Sequence, residues 1–184
     1  MSYGGVALTF QIRRVDTAGE QGIAETWAAG DLTAKASNTV SIDLDSATAD
    51  DIQFSCVTVQ ADANTEIETG GSCTNPANTN EANPQCTTGT LASAQRVALM
   101  ANYYGGGSPG TCAQETATLV ASADHGNFSS LHCRTVNLTD TAYTCGATQV
   151  ADDEALACTV ISEVAGGGGG GGGVKRLLTL GVGN

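Results

Sequence analysis

Seven cysteines carry the most definite chemistry in this chain: Cys56, Cys73, Cys86, Cys112, Cys133, Cys145 and Cys158. None of them forms the Cys-x-x-Cys pair that zinc ribbons and thioredoxin-like redox sites require. The expected chemistry is disulfide formation in an oxidising, extracellular setting. The candidates are Cys73, Cys86, Cys112, Cys133, Cys145 and Cys158. An odd count leaves one over, and Cys56, alone before residue 73, is expected to be that one. It is either a buried thiol, the preferred reading, or an intermolecular link.

Other constellations are weaker. Gly106-Gly107-Ser108-Pro109-Gly110 has the spacing of a nucleophile elbow, but that turn needs a strand before it and a helix after it, and three glycines precede Pro-Gly-Thr-Cys here. Asp124, His125, Ser129, Ser130 and His132 supply the residue types of a serine-histidine-aspartate set. Neighbours on an extended chain point apart, so these are expected to be surface histidines and no catalytic residue is assigned. Asp43, Asp45, Asp50 and Asp51, and separately Asp152, Asp153 and Glu154, would suit calcium through oxygen ligands. Neither group has EF-hand spacing, and both are expected to be solvated turn acids, with no metal site or cofactor assigned. Asn127-Phe128-Ser129 and Asn137-Leu138-Thr139 are glycosylation sequons, at the frequency chance produces; they matter only in a glycosylating source.

The elements that position the cysteines read as strands. Cys133, Cys145 and Cys158 recur every 12 or 13 residues, each within a run of β-branched residues separated by Asn, Asp, Thr and Gly. In an antiparallel meander the first and third units share an end, so a Cys133 to Cys158 bridge is expected in preference to Cys133 to Cys145. Residues 62–90 read as a long polar connection, tied down by a local Cys73 to Cys86 bridge.

Upstream, residues 1–15 read as one strand with Val6, Leu8, Phe10 and Ile12 on one face. Ile23 and Trp27, four apart, suggest a short helical turn. Strands are expected at 31–35, 39–44 and 52–59, the last two as hairpin partners. Residues 91–104 fit a helical face or an extended run, with a strand preferred by context; 105–110 form a flexible turn and 116–121 another strand.

Composition bounds the rest. The 184 residues hold 4% aromatics, so a core of small residues buries little area per residue and cross-links supplement it. The net charge of -12 argues against nucleic acid and anionic membranes as partners. No apolar run is long enough to span a bilayer. Met1-Ser2-Tyr3-Gly4-Gly5 lacks the basic start and apolar stretch of a signal peptide, so a removed leader, another export route or a particle released by lysis is expected.

The tail is distinctive. Residues 166–173 are eight consecutive glycines, an adaptable spacer of at most roughly 28 Å at about 3.5 Å per residue. Beyond it Val174, Leu177, Leu178, Leu180 and Val182 make a β-prone arm. Residues 1–15 and 174–184 hold Arg13, Arg14, Lys175 and Arg176 without an acid, whereas the stretch between holds all 19 acids. Such basic ends are drawn to an acidic surface, their own or a neighbour's.

The expected fold is mainly β: an antiparallel, disulfide-stapled β-sandwich of jelly-roll or immunoglobulin-like type over residues 1–165, with a 166–173 linker and a 174–184 arm. The expected function is non-enzymatic: an extracellular or surface subunit, or part of a released particle, assembling with copies of itself. Val6, Leu8, Phe10, Ile12 and the arm are the expected contacts, through strand addition to a neighbouring sheet. Whether the arm crosses to a neighbour or stays in its own sheet is open. The alternative is a secreted glycan-binding sandwich module with Trp27, Tyr103 and Tyr104 as platforms; a hydrolase built on Ser108 ranks third.

Overall fold

In a computed structural model, residues 1–17, 22–29, 39–42, 52–60, 65–76, 80–91, 96–113, 117–163 and 175–183 are described. The expected strand at 31–35, the acids Asp43, Asp45, Asp50 and Asp51, the glycine run and Val174 lie outside them. Among the described residues there is no helix, and the strands in chain order are β1 (Ser2–Tyr3), β2 (Val6–Ala7), β3 (Thr9–Asp16), β4 (Gly22–Ala29), β5 (Val40–Ser41), β6 (Ile52–Gln60), β7 (Thr65–Thr74), β8 (Gln85–Thr87), β9 (Arg96–Tyr104), β10 (Thr111–Cys112), β11 (Thr118–Asp124), β12 (Ser129–Leu138), β13 (Thr144–Thr148), β14 (Glu154–Glu163) and β15 (Lys175–Gly183).

Four antiparallel sheets result. Their orders are β11-β12-β9-β14-β7, β3-β4-β15-β6, β10-β13-β8 and β2-β1-β5. The five-stranded sheet is covered on both faces. On one side Leu99, Ala101, Tyr103, Ala155, Ala157 and Ile161 pack against Ala24 and Ala28 of β4 and Val57 of β6. On the other, Ala98, Met100, Leu131, Leu156 and Val160 pack with Cys86, Cys145 and Ala147 of the small sheet. A strand covered twice cannot alternate apolar with polar, and β9 and β14 are buried along almost their whole length.

The small residues of β4 have a local reason. A Cβ placed on Gly22 would lie 2.2 Å from the Tyr103 ring, so only glycine lets this strand end approach β9. Ala24 and Ala28, fully or nearly buried, keep the same close approach along the strand.

Several expectations are corrected. Ile23 and Trp27 lie on strand β4, not on a helical turn. The N-terminal stretch is three strands, and its single apolar face does not exist: the register slips between Phe10 and Ile12, putting an extra residue in β3. Phe10 is therefore exposed while Ile12 packs against the core. β5 and β6 are not hairpin partners, since β5 pairs with β1 and β6 with β15. The polar connection at 62–90 contains β7 and β8.

The three cysteine units are β12, β13 and β14, but they do not form one meander. Cys133 and Cys158 both sit opposite Met100, on either side of β9. Two strand spacings, roughly 10 Å, separate them, which is beyond disulfide reach. β13 leaves for the small sheet instead. The bridges found are Cys73–Cys86, as expected, with Cys112–Cys133 and Cys145–Cys158 in place of Cys133 to Cys158. Each joins one strand of the small sheet to the five-stranded sheet: β8 to β7, β10 to β12 and β13 to β14.

Candidate assembly interface

Lys175–Gly183 lies inside its sheet rather than at an edge. Each residue from Lys175 to Gly183 pairs with β6, and those from Leu177 onward also pair with β4. Without β15 the sheet would separate into the β3–β4 pair and an isolated β6, exposing two rows of backbone donors and acceptors. The register puts Leu178 opposite Ala28 and Val57, Leu180 opposite Thr26 and Ser55, and Val182 opposite Ala24 and Gln53. Of the residues these positions pair with, Ala24, Ala28 and Val57 belong to the apolar cluster. Leu177 pairs with Ala29 and Thr58.

On the outer face of the same sheet a compact cluster forms. Phe10 and Trp27, paired across β3 and β4, meet edge to face with ring centroids 5.3 Å apart. Trp27 donates from Nε1 to Glu25 at 2.7 Å, and Glu25 also pairs with Arg13. The Arg13 guanidinium stands 5.7 Å from the Phe10 ring centre. Arg13, one of the two basic residues at this end, is thus engaged by an acid of its own chain. Phe54 on β6 is exposed on this face, and so is Cys56, which takes no part in the three bridges; the expectation of a buried thiol is corrected.

The remaining predicted contact residues are dispersed. Val6 is exposed on β2. Leu8 is buried with Ala29 beside Met1, Tyr3 and Trp27. Asn127 is exposed in the turn after β11, and Asn137 lies on β12.

The residues weighed for catalysis are not assembled. Ser108 is exposed in the loop between β9 and β10, so a strand follows it where an elbow needs a helix. Ser129 donates to the Gly106 carbonyl, and His125 stacks on Phe128. His132 is fully buried, contrary to the surface placement expected, and its Nδ1 lies 2.7 Å from Ser55 Oγ across the two larger sheets. Among the described residues its Nε2 has no hydrogen-bond partner, so none of their carboxylates orients the ring as a triad requires. Burial lowers its pKa to about 4. The pairing with Ser55 escaped sequence reasoning, because it joins residues 77 apart and nothing local marks it.

The second acidic group is not a solvated turn. Glu154 is fully buried, accepting from the Glu81 backbone and from Asn75 Nδ2, and Asp153 is nearly buried. Among the described residues no cluster of three or more histidines, cysteines or acids is placed to hold a metal ion. Of the three aromatic residues considered as glycan platforms, Tyr103 and Tyr104 are buried in the central strand and Trp27 is half-buried.

No protein-family model matches the chain, and no curated protein or solved structure matches it.

Proposed function

We propose that the chain is a structural subunit that assembles with copies of itself into an extracellular filament, pilus-like fibre, sheath or coat by exchange of β15 between neighbours. On this reading the two larger sheets are the sandwich body of the subunit, β15 is the donated strand, and the gap between β4 and β6 is its acceptor. The observation that carries it is the placement of β15, an interior strand reached from β14 through residues 164–174, a connection rich in glycine. That connection extends to roughly 40 Å at about 3.5 Å per residue, enough to return to its own sheet or to enter an adjacent one. An exchanged strand makes the same backbone and core contacts as a retained one, so the two forms differ mainly in connection entropy and in concentration. Three disulfides are consistent with a secreted setting, and among the described residues no helix is long and apolar enough to cross a membrane.

Shortening the connection tests this. Deleting 166–173 leaves three residues between β14 and β15; shortening a connection favours exchange over return to the same sheet, and the expected outcome is more polymer by light scattering and negative-stain microscopy, with the β-sheet circular dichroism retained. A folded monomer from this variant would sink the exchange reading.

A further inference from the structure

The four cysteines of two bridges form a closed figure. Cys73–Cys86 and Cys145–Cys158 each join the small sheet to the five-stranded sheet, with Cα atoms 5.7 and 6.3 Å apart. The other two sides of the figure lie within the sheets: Cys73 is opposite Cys158 on β7 and β14, and Cys86 is opposite Cys145 on β8 and β13. Both are hydrogen-bonded positions. The Asn75 amide donates to the Leu156 carbonyl two residues along from Cys73 and Cys158, and the Thr88 to Tyr143 and Ala147 to Pro84 bonds bracket Cys86 and Cys145 in the same way. Opposite Cα atoms at such positions are about 5.5 Å apart, inside the window of about 4.4–6.8 Å that a disulfide spans. Three of the cysteines are buried in the cluster with Met100, Leu156 and Val160, and Cys73 packs against it. Each of the four therefore has two neighbours within bonding reach, one across the layers and one in its own sheet.

We infer that Cys73, Cys86, Cys145 and Cys158 are a thiol–disulfide exchange set whose reaction partner is a small free thiol, which converts the two inter-sheet bridges into two in-sheet bridges, Cys73–Cys158 and Cys86–Cys145. Entry is at Cys73, the one member only half-buried; Cys86, Cys145 and Cys158 are 7%, 2% and 0% exposed. The thiolate of the small molecule bonds to Cys73 Sγ and the Cys73–Cys86 bond breaks, leaving Cys86 as a thiolate. Cys86 attacks Cys145 Sγ, opposite it, and releases Cys158. Cys158 attacks Cys73 Sγ, its own opposite neighbour, closing the second bridge and expelling the small thiolate. As many S–S bonds form as break and no electron is gained or lost overall, so the thiol is a catalyst. The exchange changes what is tied to what: β8 and β13 become joined to each other, and of the three original bridges only Cys112–Cys133 still holds the small sheet to the five-stranded one. The inter-sheet bridges keep the larger share, because opposite Cβ atoms in a sheet lie about 4.5–5.5 Å apart and an in-sheet bridge must draw them to about 3.8 Å. The third pairing, Cys73 with Cys145 and Cys86 with Cys158, lies across the diagonals, about 8 Å in a flat figure of these sides and beyond disulfide reach. None of the four lies on β6 or β15, so this exchange is independent of strand donation.

Non-reducing peptide mapping tests it on the full-length Cys56→Ser chain, in which the added thiol is the only thiol present at the start. The folded chain is incubated with substoichiometric reduced glutathione over minutes to hours, the span of uncatalysed disulfide rearrangement, and quenched with acid. Cleavage after Glu81, Arg96, Glu115, Arg134 and Glu154 puts each of the six bridged cysteines on its own peptide. The expected result is that Cys73–Cys158 and Cys86–Cys145 peptides rise together in a one-to-one ratio to a plateau below the original bridges, with Cys112–Cys133 constant, diagonal pairs absent and the circular dichroism retained. Linkages that stay unchanged at every glutathione concentration overturn the inference, and so do diagonal pairs or pairs with Cys112 and Cys133 as abundant as the in-sheet ones. The same measurement on the wild-type chain decides where Cys56→Ser fails to fold.

Discussion

His132 shows how one buried side chain ties the two larger sheets to pH. Its ring is on β12, its partner Ser55 is on β6, and burial holds the imidazole at about 4 against an ordinary 6.5. Because the folded value is the lower one, the unfolded chain takes up the proton first as pH falls. Stability is full above about 6.5 and declines through that window to about 4, by about 3 kcal/mol in all. Urea unfolding midpoints at pH 7 and at pH 4 should differ accordingly, and His132→Gln should remove much of the difference; an unchanged slope in the variant assigns the acid sensitivity elsewhere. Gly22 makes a second argument at this scale. A methyl group there meets the Tyr103 ring, itself fully buried and stacked with the buried Phe128. Gly22→Ala is expected to cost about 1–3 kcal/mol, read as a lowered melting temperature.

At the scale of the element, the small sheet is the part least able to stand alone. β8, β10 and β13 are three, two and five residues long, and each carries one cysteine bridged to the five-stranded sheet. Replacing Cys145 and Cys158 together by serine should destabilise the fold by about 2–4 kcal/mol in denaturant titration. Non-reducing peptide mapping checks the placement itself: a peptide joining Cys133 to Cys158 would contradict strands that flank β9. Why the sequence suggested that bridge is instructive. Equal spacing reports strand length and turn length, and it is silent about which strand comes between; here β9, far earlier in the chain, is inserted between β12 and β14. The helical turn suggested by Ile23 and Trp27 failed for a simpler reason. Residues four apart share a face on a strand as well as on a helix, and β4 alternates buried with half-buried positions from Gly22 to Ala28. What was legible was local: the extended character of 52–59 and of 96–104, and the Cys73–Cys86 closure.

Across the whole molecule, sequence reading anticipated sheet-rich structure, antiparallel pairing and three bridges, because β-branched runs, turn residues and cysteines are local signals. It missed that the five-stranded sheet is packed on both faces, since a strand buried on two faces looks like any short apolar run until its neighbours are known. Likewise the arm's β character was legible but its interior position was not, that position depending on two partners more than a hundred residues away. Charge distribution gives the last prediction. Basic ends and an acidic middle would attract one another between copies, but Arg13 is already paired with Glu25 of its own chain and the chain as a whole carries -12. Repulsion between whole subunits then acts over the Debye length, about 30 Å at 0.01 M salt and about 3 Å at 1 M, whereas backbone pairing in a sheet is short-ranged. Raising sodium chloride across that range should therefore promote association of the full-length chain, seen as increased light scattering with unchanged circular dichroism. Scattering that falls with salt would mean that the basic ends of one copy are held by the acidic body of the next, and that charge attraction rather than strand pairing drives the contact.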